Sequence, residues 1–93
     1  METRTNINKE VNVTALYFHN RRNLKSFPKR MEYDGRQYEF VESGMQYQIT
    51  KDNQEVRLFD MTDGSATYRL KFDYGQFTWT LVSISRSIFS FSN

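Results

Sequence analysis

The stretch Met31-Glu-Tyr-Asp-Gly-Arg-Gln-Tyr-Glu-Phe40, with its continuation Tyr47-Gln-Ile-Thr-Lys-Asp-Asn-Gln-Glu-Val-Arg-Leu58, decides the fold. Apolar and polar side chains alternate through it, which puts every second residue on one face of an extended strand. The punctuation is Asp34-Gly35, Ser43-Gly44 and Asp52-Asn53, residue types that tolerate the left-handed backbone angles of tight hairpins. The same signals recur at Asp63-Gly64 and Tyr74-Gly75. The reading is a mainly β protein: a single antiparallel meander of five to six strands over residues 30–84. It is either curled into a small barrel or roll or covered by the N-terminal segment.

Register follows from residue numbers, because directly opposed residues share a face. A two-residue turn at Asp34-Gly35 opposes Tyr33 to Arg36, Met31 to Tyr38 and Arg30 to Glu39. A turn at Ser43-Gly44 opposes Phe40 to Tyr47. A turn at Asp52-Asn53 opposes Ile49 to Val56 and Tyr47 to Leu58. At Thr62-Asp63-Gly64 a three-residue loop with glycine in the left-handed position keeps Val56 opposite Leu70 and Leu58 opposite Tyr68. A turn near Tyr74-Gly75, of two residues or four, opposes Phe72 to Phe77, Leu70 to Trp79 and Tyr68 to Leu81. The expected apolar face therefore runs from Met31, Tyr33, Tyr38 and Phe40 through Tyr47, Ile49, Val56 and Leu58 to Tyr68, Leu70, Phe72, Phe77, Trp79 and Leu81.

A sheet with one apolar face must cover it. Val11-Asn-Val-Thr-Ala-Leu-Tyr-Phe18 is the natural cover, as a strand or as a short helix, and Pro28 marks where helix cannot continue. The division expected is a flexible N-terminus over 1–10, one β domain over 11–84, and a tail over 85–93 that adds an edge strand or frays.

Composition excludes more than it proposes. With no cysteine there is no disulfide, thiolate zinc site or thiol nucleophile, and a reducing, cytoplasmic setting is expected. Met1 to Glu10 holds no apolar signal-peptide core, and no apolar run reaches membrane-spanning length. The single histidine, His19, leaves triad and zinc chemistry without material. Asp60 with Asp63, and Glu39 with Glu42, lie at turns or on a solvent face, where carboxylates shape loops and solubilise rather than catalyse. No phosphate-binding glycine motif is present. The expectation is a binding domain without catalytic set, cofactor or metal.

Two features point to a partner. The net charge of +2 hides an asymmetry: residues 1–30 hold seven basic and two acidic residues, and residues 31–93 hold six basic and nine acidic. The basic segment carries Arg21, Arg22, Lys25 and Arg30 with Phe27 between them. On the sheet, the register above places Arg57 opposite Arg69, with Lys71 and Phe59 beside them. Opposed like charges are destabilising unless an anion relieves them. Cations touch phosphates without sequence preference, and aromatic rings stack on unpaired bases. The first reading is thus a nucleic-acid or polyanion binder using Arg21, Arg22, Lys25, Arg30, Arg57, Phe59, Arg69 and Lys71. The second is a protein-interaction module, self-associating through an edge strand or through Ile88, Phe89 and Phe91 of the tail.

Overall fold

The computed structural model describes the backbone of residues 2–19 and 24–87, and most of their side chains outside 16–19 and 24–27. Seven strands follow one another: β1 (Glu2–His19), β2 (Leu24–Tyr33), β3 (Arg36–Glu39), β4 (Glu42–Lys51), β5 (Gln54–Thr62), β6 (Thr67–Asp73) and β7 (Thr78–Ser87). They form one antiparallel sheet in the order β3-β2-β1-β7-β6-β5-β4, curled 227° into a half-barrel. No helix occurs among the described residues, and so none is long and apolar enough to cross a membrane.

The N-terminal segment is not a lid laid over the sheet. Residues 11–18 are strand, and β1 is a central member of the same sheet. Its first half pairs with β7, Arg4 opposite Ser85 and Val11 opposite Trp79, and its second half pairs with β2, Val13 opposite Met31. Residues 2–10, expected as a flexible N-terminus, are therefore paired with β7. The expected tail is divided in the same way: Ser85 to Ser87 lie in β7, and 88–93 fall outside the described residues. A bulge between Asn6 and Lys9, with Asn8 at φ 54°, and further irregularities at Thr14/Ala15 and Arg69/Leu70 bend the strands. Each bulge adds local twist, which lets a sheet of this width curl onto itself.

Of the three hairpins expected with two-residue turns, those at Asp34-Gly35 and Asp52-Asn53 form as expected. Arg30 opposes Glu39 and forms an ion pair at 3.1 Å; Met31 opposes Tyr38. Tyr47 opposes Leu58 and Ile49 opposes Val56. The hairpin expected at Ser43-Gly44 does not form. After β3 the chain crosses over: the Phe40 amide donates to the Lys29 carbonyl at 2.9 Å, and the Val41 amide donates to the Thr62 carbonyl at 2.8 Å. Gly44 instead sits in a β4 irregularity against β5, where a Cβ would stand 3.2 Å from the Asp60 carbonyl oxygen.

The largest correction concerns β5 and β6. Their loop is Asp63-Gly64-Ser65-Ala66, closed by Thr62 opposite Thr67, so Phe59 opposes Leu70 and Met61 opposes Tyr68. Relative to the expected pairing the shift is an odd number of residues, and an odd shift turns a strand over. Phe59 and Met61 go inward; Val56 and Leu58 go outward, taking Tyr47 and Ile49 with them. Asp63 determines the loop. Its Oδ1 accepts from the Ser65 amide (2.8 Å), the Ser65 hydroxyl (3.0 Å) and the Ala66 amide (3.0 Å), and its Oδ2 accepts from the Tyr68 hydroxyl (2.7 Å). Gly64 takes the left-handed angle, φ 98°, that closes the turn.

At the β6–β7 end the loop is Tyr74-Gly75-Gln76-Phe77, with Phe77 rather than glycine in the left-handed position at φ 55°. Leu70 then opposes Leu81 and Phe72 opposes Trp79, a two-residue shift that keeps these four side chains inward but leaves Phe77, expected on the apolar face opposite Phe72, in the loop and 76% exposed. The core consists of Met31, Phe59, Tyr68, Leu70 and Leu81, all fully buried, with Val11, Met61, Ala66, Phe72 and Trp79 around them. Rings meet across the curl: Tyr38 and Phe40 lie 5.4 and 5.7 Å from Tyr68, and Trp79 lies 5.5 Å from Phe59 and 4.7 Å from Phe72.

The register and the loop each generate a test. Phe59→Ala should cost about 3–5 kcal/mol in chemical denaturation, and Leu58→Ala about 1 kcal/mol or less; the reverse order would restore the pairing expected from sequence. Burial pushes the Asp63 carboxyl up, but the donors from Ser65, Tyr68 and Ala66 outweigh it and lower its pKa from 3.8 to about 2. A carboxylate depressed in the folded state stabilises fully above its unfolded value and loses that contribution as the pH falls. Stability should therefore drop between pH 3.8 and about 2, and Asp63→Asn should flatten that step in acid denaturation followed by tryptophan fluorescence.

Candidate interaction surface

The sheet cluster expected for polyanions does not assemble. Arg57 opposes Phe72, not Arg69, so it lies on the concave side. Phe59 is fully buried in the core and offers no ring for stacking. Arg69 and Lys71 lie on the outer side, and Asp60 is opposite Arg69. That pair is a two-point ion pair, Nε to Oδ1 at 2.9 Å and Nη2 to Oδ2 at 3.1 Å. The Asp60 carboxylate raises the Arg69 pKa further above its ordinary value, and the guanidinium lies 5.8 Å from the centre of the Tyr47 ring. The charge of Arg69 is thus already matched. Arg30 is committed to Glu39. Arg21 and Arg22 lie outside the described residues, and the Lys25 side chain lies outside them as well.

The two acidic residues that sequence singled out at this turn are also occupied. Asp60 holds Arg69, and Asp63 holds the loop and the Tyr68 hydroxyl, which burial and that hydrogen bond raise far above its ordinary pKa. No group of three metal-ligating side chains occurs among the described residues. Beside the ion pair is a polar cleft of about 130 Å³ lined by Arg4, Asp60, Thr67, Arg69, Ser83 and Ser85, in which Arg4 Nε donates to the Ser85 hydroxyl at 3.3 Å. It contains hydroxyls and guanidinium groups, but its carboxylate is bound and no base faces a nucleophile.

What the structure does assemble lies at the β4 edge. Among the described residues the sheet ends in β3 on one side and β4 on the other. Edge strands expose unpaired backbone groups, and proteins protect them by brevity, charge or proline. β3 is protected: it spans four residues and carries Arg36 and Glu39. β4 is ten residues long, and positions 43–50 contain neither charge nor proline. Along this strand the two faces differ. Tyr47 and Ile49 point outward, opposite Leu58 and Val56, forming an apolar corner in which Ile49 is 45% exposed. Gln46, Gln48 and Thr50 lie on the concave side opposite Phe59, Arg57 and Glu55, with Gln48 Nε2 donating to Glu55 Oε1.

This corner was visible in the sequence as a broken alternation. In Val56-Arg-Leu-Phe-Asp-Met61 the apolar phase changes between Leu58 and Phe59, so one strand has apolar residues on both sides. Reading a single apolar face through it hid the second. No protein-family model, curated protein or solved structure matches the chain significantly.

Proposed function

We propose that this chain is a small non-enzymatic binding domain that takes up a polypeptide strand along β4. The supporting observation is the ten-residue β4, which ends the sheet among the described residues and is uncharged from 43 to 50, next to an apolar corner of exposed Ile49 and half-buried Tyr47, Val56 and Leu58. Strand addition draws affinity from main-chain hydrogen bonds and specificity from alternate side chains. Both elements are present here: a strand with a strand neighbour on one side among the described residues, and a sheet surface apolar on one side and amide-lined on the other. The half-barrel supplies a support, since β4 pairs with β5 continuously from Gln46 to Lys51. The absence of cysteine suits a reducing compartment, and a cytoplasmic setting is part of the same proposal.

Nucleic acid or another polyanion is the second reading. It retains the basic segment through Arg30 and two sheet cations, Arg57 and Lys71, neither of which has an ion-pair partner among the described residues. Those two cations lie on opposite faces of the sheet, which weakens the case for a shared patch.

Two measurements separate the readings. Ten-residue peptides selected from a displayed random library against the immobilised chain should bind the wild type and lose about tenfold or more on Ile49→Lys, a change of about 0.5 kcal/mol or less in stability at an exposed site. Equal binding to both proteins would refute docking along β4. On a heparin column, a polyanion binder should be retained at low salt and elute steeply as salt rises. Passage without retention at low salt would remove that reading.

A further inference from the structure

We infer that the strand added to β4 is β4 of a second copy, paired antiparallel about a two-fold axis through Gln48. The inference rests on the edge-docking reading above and names its partner. A two-fold axis perpendicular to a sheet carries the concave face of one copy onto the concave face of the other. Opposed residues must then come from the same face, so the axis passes through a residue position rather than between two neighbours.

The irregularity between Ser43 and Gln46 confines regular pairing to the stretch from Gln46 onward. Within that stretch the segment Gln46-Tyr-Gln-Ile-Thr50 is chemically palindromic about its centre. Pairing through Gln48 opposes Gln46 to Thr50 and Tyr47 to Ile49, each twice, and Gln48 to its own symmetry mate. Every one of these pairs is favourable. Primary amides and hydroxyls both donate and accept, so identical or similar groups satisfy one another. An aromatic ring opposite a β-branched residue is among the better cross-strand pairs. No charge meets a like charge, because the nearest charged positions, 51 and 52, fall outside the five-residue match. Moving the axis to Ile49 would oppose Tyr47 to Lys51, and moving it to Tyr47 would oppose Ile49 to position 45 inside the irregularity. Gln48 is the centre at which chemistry and backbone agree.

The same axis brings the two apolar corners together. Tyr47, Ile49, Val56 and Leu58 of each copy become one continuous stripe across the junction, which removes Ile49 from the edge of the patch and sets it against Tyr47 of the second copy. The second edge, β3, is short and charged, so addition ends at two copies instead of propagating.

Light scattering over a concentration series tests the inference. The wild type should rise to twice the 11.2 kDa mass of the chain. Gln48→Lys and Gln48→Glu, each placing two like charges face to face on the axis, should each weaken self-association about tenfold or more. An equimolar mixture of these two variants should regain the dimer, because lysine then opposes glutamate; a misfolded variant could not do so. A wild type that stays monomeric at about 1 mM overturns the second copy as partner. Displayed peptides that still bind through β4 would then leave edge docking in place, and their failure would remove both. A dimer that persists in Gln48→Lys, or a mixture that stays monomeric, overturns the Gln48-centred pairing.

Discussion

The Asp63 carboxylate is the constraint on which the rest of the sheet depends. Four donors converge on it from Ser65, Ala66 and Tyr68, and together they define a four-residue loop where a three-residue one was equally consistent with the glycine. Loop length in a hairpin determines register, and register determines which side chains are dry. With this loop, Phe59 and Met61 enter the core and Asp60 comes opposite Arg69. With the shorter one, Val56 and Leu58 would enter, and two arginines would face each other. The fold chooses the arrangement that buries the larger side chains and pairs the charges.

The crossing at Phe40 and Val41 is the second organising element. Two backbone hydrogen bonds connect opposite margins of the sheet, one to β2 and one to β5. They hold the half-barrel together at that end and leave β4 with β5 as its one strand neighbour among the described residues. A β3–β4 hairpin would have placed β4 inside the sheet and covered its backbone. The free edge therefore results from the same two bonds that shape the core.

The proposed function follows from these two decisions. Turning β5 over disperses the cations that would have formed a basic patch, buries the one aromatic ring in it, and sends four apolar residues outward beside an unprotected edge. A strand with apolar residues on both faces has a partner for one face only inside its own domain. The proposed strand binding or self-pairing would cover the other, and the run from 43 to 50 lacks the charge that β3 carries.

What was legible in the sequence was local. The two hairpins at Asp34-Gly35 and Asp52-Asn53, the inward parity of Tyr68, Leu70, Phe72, Trp79 and Leu81, and the Arg30–Glu39 pairing all follow from turn chemistry and period-two alternation between neighbouring residues, whereas residues 11–18 read as strand or as short helix. The partners of β1, the missing β3–β4 hairpin and the orientation of β5 were decided only by the tertiary structure. β1 joins the first residues to the last, Arg4 to Ser85, and nothing within a strand's own alternation names so distant a neighbour. For β5 both faces were apolar enough to be buried, and the decision lay in how four hydrogen bonds at Asp63 and the packing of Phe59 against Leu70 and Trp79 combined, a choice between whole arrangements rather than between residues.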